Sequence, residues 1–126
     1  MRDRTNYLRL FENRTNARKV EAGALLFAKG DEAREMFIVK TGELQIFDGD
    51  FVFETVGPGE LLGEMAIVDG SPRSASVRAL TAAEVFSLDR TQFLQIVEQT
   101  PLFSIRVMET ISLRLRNTNA LAKSLG

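Results

Sequence analysis

One stretch of this chain gathers residue types suited to holding a small anion: Gly57-Pro58-Gly59-Glu60-Leu61-Leu62-Gly63-Glu64-Met65-Ala66-Ile67-Val68-Asp69-Gly70-Ser71-Pro72-Arg73-Ser74-Ala75. Arg73 offers a planar guanidinium that can pair with a phosphate through two parallel hydrogen bonds. Ser74 adds a hydroxyl, and Ala75 leaves its backbone unobstructed by a bulky side chain. Leu62 to Val68 is long enough for one helical turn, whose leading N–H groups are donors for an anion. Glu64 has a different chemistry. A carboxylate repels phosphate but readily accepts a hydrogen bond from a sugar hydroxyl. One arginine for the charge and one glutamate for a hydroxyl suit a phosphate fused to a ribose. The common phosphate loops do not fit: no Lys-Ser or Lys-Thr follows the glycines, and the dinucleotide fingerprint fails at its third glycine. Taken singly, Arg73 and Glu64 read as solvated surface charges and the glycines as turn residues. Only their joint spacing argues for a site.

The composition narrows the chemistry further. The 126 residues contain no histidine and no cysteine, which excludes disulfides, thiolate nucleophiles, the usual zinc sites and any His- or Cys-based triad. Asp48, Asp50, Asp69 and the glutamates show no metal-loop spacing, so a small metal-dependent jelly-roll enzyme is disfavoured and no cofactor is expected. The net charge is −1, with 16 Lys+Arg against 17 Asp+Glu, which gives no support to binding DNA or an anionic membrane through bulk charge. No apolar run approaches the roughly 20 residues that span a bilayer. The start, Met1-Arg2-Asp3-Arg4-Thr5-Asn6, does not lead into a signal-peptide core. A cytoplasmic protein is expected.

The elements that must position these residues are legible from periodicity. Up to about Arg18 the chain is polar, with Tyr7, Leu8, Leu10 and Phe11 spaced for one side of a short helix. From Val20, strand-length apolar segments alternate with turn residues: Leu25–Ala28, Met36–Val39, Glu43–Phe47, Phe51–Val56, Ser74–Leu80 and Ala83–Leu88. Phe47-Asp48-Gly49-Asp50-Phe51 reads as a hairpin. The period then changes. Asp89 with Gln92 forms a capping-box variant ahead of Phe93, Leu94, Ile96 and Val97, and Thr100-Pro101 predicts a second helix start, with proline at its first position. A long helix should run from there to about Ser124. The layout is a helix, about eight strands and then helices, in an antiparallel barrel or jelly-roll sandwich. One domain over 1–126 is expected: an N-terminal helical segment to about 18, a roll over 20–88 and C-terminal helices over 89–126.

Leu62-Gly63-Glu64-Met65-Ala66-Ile67, followed after five residues by Arg73-Ser74-Ala75-Ser76-Val77-Arg78-Ala79, resembles the phosphate-binding cassette of cyclic nucleotide-binding domains. Ile38-Val39-Lys40-Thr41-Gly42-Glu43 resembles the family's earlier strand signature, although Gln45 stands where a small residue is usual. The resemblance runs from about Ala17 to Leu121. It implies a mainly β fold: an eight-stranded antiparallel β-roll with an N-terminal helix and C-terminal B and C helices. It also implies a cassette over 62–75 in which Arg73 pairs with a cyclic phosphate, contacted as well by Ser74 and the Ala75 backbone. In this reading Glu64 takes the ribose 2′-hydroxyl, while Gly63, Met65 and Ala66 shape the short cassette helix. Ser74, where a threonine accompanies cGMP preference, implies cAMP as the ligand, with cGMP as the alternative.

By the same resemblance the C helix closes over the base, and Thr118 and Asn119 fall where polar residues hydrogen-bond the adenine amino group. Met108, Ile111, Leu115, Thr118, Ala122 and Leu125 recur at alternating steps of three and four, a heptad-like seam. It serves either a homodimer or packing on the roll itself. No DNA-binding helix-turn-helix follows the C helix within these residues, so direct DNA binding is not expected. A sensor that signals to a protein effector, free-standing or part of a larger protein, is the leading expectation. A roll that kept the scaffold as a ligand-free interaction protein is the alternative.

Overall fold

In a computed structural model the backbone is described for residues 5–12 and 16–125, and side chains for residues 8–12 and 16–117. Among the described residues, eight strands and four helices follow in the order α1 (Thr5–Glu12), β1 (Arg18–Val20), β2 (Leu25–Phe27), β3 (Glu35–Thr41), β4 (Leu44–Asp48), β5 (Phe51–Val56), β6 (Leu61–Leu62), α2 (Met65–Val68), β7 (Ser76–Ala79), β8 (Ala83–Asp89), α3 (Arg90–Gln99) and α4 (Leu102–Leu125). The strands form two four-stranded sheets, ordered β1-β8-β3-β6 and β2-β7-β4-β5. Every pairing is antiparallel. This is the expected mainly β roll with flanking helices.

Strand parity explains how one sheet serves two cores. Side chains alternate across a strand, so β3 sends Phe37 and Val39 between the sheets while Met36 and Ile38 face the helices. β8 does the same with Val85 against Phe86 and Leu88. The unbroken apolar run Met36–Val39 is therefore a strand covered on both faces. The second core takes Phe11 from α1, stacked on Phe86 at 6.3 Å and edge-on to Phe103 at 5.5 Å. It also takes Ile67 from α2, Ile96 from α3, and Phe103 and Val107 from α4. The cassette helix thus shares its packing with both C-terminal helices.

Local signals are realised with small shifts. The hairpin turns through Gly49 at φ +59 between Asp48 and Phe51. Asp89 and Gln92 form the full reciprocal capping box. Thr100 caps the C-terminus of α3, and α4 starts at Leu102, one residue beyond Pro101. Gln45, the departure from the family signature, lies opposite Arg78 in the β4–β7 register. Its Oε1 accepts from Arg78 Nε at 3.0 Å and Nη2 at 2.6 Å, and the same guanidinium stacks on Phe47. A small residue there would leave that arginine without its acceptor.

The seam on the last helix divides. Phe103, Val107 and Thr110 carry the face packed on the roll. Ile111 is half-buried, whereas Met108 and Leu115 are 54% and 60% exposed. Thr118, Ala122 and Leu125 have side chains outside the described residues. No helix among the described residues is long and apolar enough to cross a membrane.

Candidate functional site

Between β6 and β7 the chain leaves the sheet, makes the single turn of α2 and returns. Gly63 opens this excursion at φ +69 and Gly70 reverses it at φ +68, a region that residues with a Cβ rarely occupy. The return is pinned to the β2–β3 connection, where Arg73 N–H donates to Asp31 O at 2.9 Å and Gly30 N–H donates to Arg73 O at 2.8 Å. The returning end of the excursion is therefore fixed by a pair of main-chain bonds.

That frame aims Arg73 inward. Its residue is only 8% exposed, and its guanidinium lies over the Phe27 ring at 4.2 Å. Nη2 donates to Glu35 O at 2.8 Å and Nη1 to Gly63 O at 3.4 Å, while Nε is buried without a hydrogen-bond partner. Burial lowers the Arg73 pKa below that of an ordinary guanidinium, and the charges of Glu35, Asp31 and Glu64 oppose that shift. Buried donors are rarely left unpaired, and a guanidinium with capacity in reserve is a seat for an anion. The N–H groups of Ala66 and Ile67 are already taken by Gly63 O and Glu64 O. Those two donors of the turn are therefore engaged, and Arg73 supplies the charged part of the anion-binding capacity.

Gly63, Glu64, Met65, Ala66, Arg73, Ser74 and Ala75 all line one cavity of about 100 Å³. The structure thus brings together the seven cassette residues singled out from sequence. Ser74 and Ala75 precede the ladder, which begins at Ser76. A larger space of about 500 Å³ adjoins this cavity and shares Ile46, Ser74, Ala75 and Arg114 with it. Phe51, Val52, Phe53, Glu54 and Asn117 form the rest of its wall. The small cavity suits a phosphate and sugar, and the aromatic one suits a flat base. Alone, the first falls below the usual ligand-pocket range of roughly 300–1,000 Å³. A third cavity of about 580 Å³ borders α4, Glu60 and Leu61 but touches no cassette residue. Its Arg106 and Arg116 are engaged within the helix by Thr110 and Ser112. The side chains of Thr118 and Asn119 lie outside the described residues, so only the cassette part of the expected site is brought together here.

Glu64 is 5% exposed and has a partner that the sequence reading missed. Arg114 Nη1, from α4, donates to both its carboxylate oxygens at 2.9 and 2.8 Å. The same guanidinium reaches Glu54 Oε1 at 3.1 Å and Leu61 O at 2.6 Å. Burial would lower the Arg114 pKa, but the charge of Glu64 and the hydrogen bond and charge of Glu54 outweigh it and hold the proton more firmly than usual. The available signal was spacing: Phe103, Val107, Thr110 and Arg114 recur at four, three and four, which puts a cation on the packed face. Glu54 faces Ile46 in the β4–β5 register, a charged residue opposite an apolar one.

Gly63 offers a direct test of this geometry. A Cβ at this residue would collide with Arg73 Nη1, and the positive φ adds strain. Gly63→Ala is expected to cost about 1–2 kcal/mol of stability, about 4–8 °C in melting temperature, and to displace the guanidinium. A calorimetric melt at wild-type temperature would show the turn to be more compliant than this packing implies.

Comparison with known proteins gives a consistent result. The family described as Cyclic nucleotide-binding domain matches residues 17–100, two thirds of the chain. The Cyclic AMP receptor protein of Thermus thermophilus is 29% identical over 102 residues, which cover 77% of this chain and 47% of the receptor. The chain therefore spans about half the length of that relative. The crystal structure of the Thermus thermophilus catabolite activator protein superposes with a TM-score of 0.80 at 26% identity, covering 95% of this chain and 59% of that one. A structure from work on a cyclic-GMP-dependent signalling pathway that regulates bacterial phytopathogenesis superposes with a TM-score of 0.76 at 29% identity, covering 89% and 93%.

Proposed function

From the premise that this chain belongs to the cyclic nucleotide-binding domain family, we propose that it is a cytoplasmic, non-enzymatic sensor of a cyclic nucleotide, cAMP in preference to cGMP. The observation that supports this reading best is the buried Arg73 guanidinium, whose Nε is unpartnered beside Ser74 and Ala75. The cyclic phosphate binds there, the ribose 2′-hydroxyl donates to Glu64, and the base lies in the adjoining aromatic space. α4 closes over the base, with Thr118 and Asn119 toward its polar edge, and carries the binding event to an effector. The exposed Met108 and Leu115 are available to a second copy of the chain.

The test is a calorimetric titration with cAMP, cGMP and 5′-AMP side by side. Both cyclic nucleotides should bind, cAMP more tightly, and 5′-AMP should not. Saturation at 100 times Kd adds about 2.7 kcal/mol of stability, a shift readily seen in a melt. A chain that bound neither cyclic nucleotide would be the ligand-free interaction roll. The observation on the side of that second reading is the Arg114–Glu64 ion pair, which gives the proposed sugar partner a protein partner of its own.

Glu64→Gln separates the two roles of this carboxylate. Losing a charge-assisted hydrogen bond is expected to weaken cAMP about 10- to 100-fold and 2′-deoxy-cAMP much less. Equal losses for both ligands would assign Glu64 to holding Arg114 and not to the sugar.

A further inference from the structure

Arg90 stands where helix physics disfavours it. It is the first residue of α3, the positive end of the helix dipole, where cations are unfavourable. The cap of this helix does not use its side chain, because Asp89 and Gln92 form the reciprocal box between themselves. Its guanidinium leaves its own helix instead, and Nη1 donates to Ile67 O in α2 at 2.7 Å. The residues after α2 do not use that carbonyl, since Asp69 N–H and Gly70 N–H both turn onto Met65 O. A cation on a carbonyl at a helix C-terminus is the favourable arrangement. An unfavourable local choice with a specific distant partner signals a role beyond local structure.

The opposite end of the same short helix is held by Arg114, through Glu64 immediately before Met65. Each C-terminal helix therefore grips the cassette helix with one arginine, α3 at its C-terminal end and α4 at the residue before its N-terminal end. The buried Ile67 side chain packs between them in the core shared with Ile96, Phe103 and Val107. The two grips differ chemically. Arg114 holds a carboxylate that lines the cassette cavity, whereas Arg90 holds the main-chain carbonyl of Ile67, a residue outside that lining.

We propose that Arg90 is a positioning residue that ties the cassette helix rigidly to α3, so that any rearrangement at the Glu64 end is delivered to α3 and α4. The nucleotide-dependent part of this proposal rests on the reading of the cassette given above; the tether itself does not. Without Arg90, a ligand is held by the cassette but its arrival is not passed on.

Hydrogen exchange on the whole chain tests this with wild type, Arg90→Ala and Arg90→Lys, each with and without cAMP. In nucleotide-free Arg90→Ala the Asp69 and Gly70 amides should exchange about tenfold faster, while Val39 and Ala79 in the roll stay unchanged. With cAMP, protection of residues 63–75 should persist and protection of residues 102–117 should fall by half or more. Arg90→Lys, which keeps the charge but not the fork, should lie between and serves if the alanine variant does not fold. Wild-type exchange at Asp69 and Gly70 in Arg90→Ala, or undiminished protection of α4, would overturn the tether. A wild type that binds neither cAMP nor cGMP would overturn the cassette reading alone, and the nucleotide-free comparison would then decide the tether.

Discussion

Arg73→Ala is expected to lose cAMP affinity by about 30-fold to several thousand-fold, the equivalent of roughly 2–5 kcal/mol for removing one partner of a buried charge pair. The variant should remain folded. Arg73 contributes to the roll through two carbonyls, Glu35 O and Gly63 O, and through its stacking on Phe27. Water entering the adjoining cavity can satisfy both carbonyls, so the stability loss should stay near 1–3 kcal/mol. Arg73→Lys keeps the charge but neither the planar stack nor the fork of two parallel donors, and should recover only part of the affinity. Titration of each variant, with circular dichroism to verify folding, separates binding from stability. Unchanged cAMP affinity in Arg73→Ala would sink the assignment of the phosphate site.

The cassette was legible in sequence because its members lie within one local excursion of the chain. Glycines at 63 and 70 permit the turns, and Arg73 follows at a fixed distance, so spacing alone carries the geometry. The strands were legible where they alternate or run apolar for four residues or more. β1 and β6 were not, because three and two residues hold no period. β6 exists only through its pairing with Phe37 and Ile38 of β3, a partner more than 20 residues away. The same reason hid Arg114 and Arg90. Each acts on a carbonyl or carboxylate far off in sequence, at Leu61, Glu64 and Ile67. In a linear reading Arg114 is one more cation on a charged helix. The heptad-like pattern of α4 was visible, but the pattern alone does not say which of its faces meets the roll. Phe103, Val107 and Thr110 take that place, and Arg114 extends their row to the cassette.

Arg114→Met is expected to destabilise the domain by about 3–5 kcal/mol, because it leaves the Glu64 carboxylate buried without its counter-charge. For a chain of this size that corresponds to a fall of about 10–20 °C in melting temperature. Glu54 is less affected, since it lies nearer solvent and its bonds to the guanidinium are longer, at 3.1 and 3.4 Å. The double variant Arg114→Met with Glu64→Gln should recover most of the loss, because a neutral amide tolerates burial where a carboxylate does not. The cycle of the two single variants and the double isolates the pair from the packing of α4. Additive losses would show that the ion pair contributes little and that the arginine stem supplies the stability. The same variant decides how the ion pair and the nucleotide coexist. A carboxylate has more lone pairs than Arg114 Nη1 engages, so Glu64 can hold the arginine and a ribose hydroxyl together. Arg114 then keeps α4 over an occupied cassette, and its loss should weaken cAMP about tenfold through faster release. Tighter cAMP binding in Arg114→Met would reverse the order of events: the arginine would be a competitor that the nucleotide must displace, and α4 would be released by binding instead of being held closed by it.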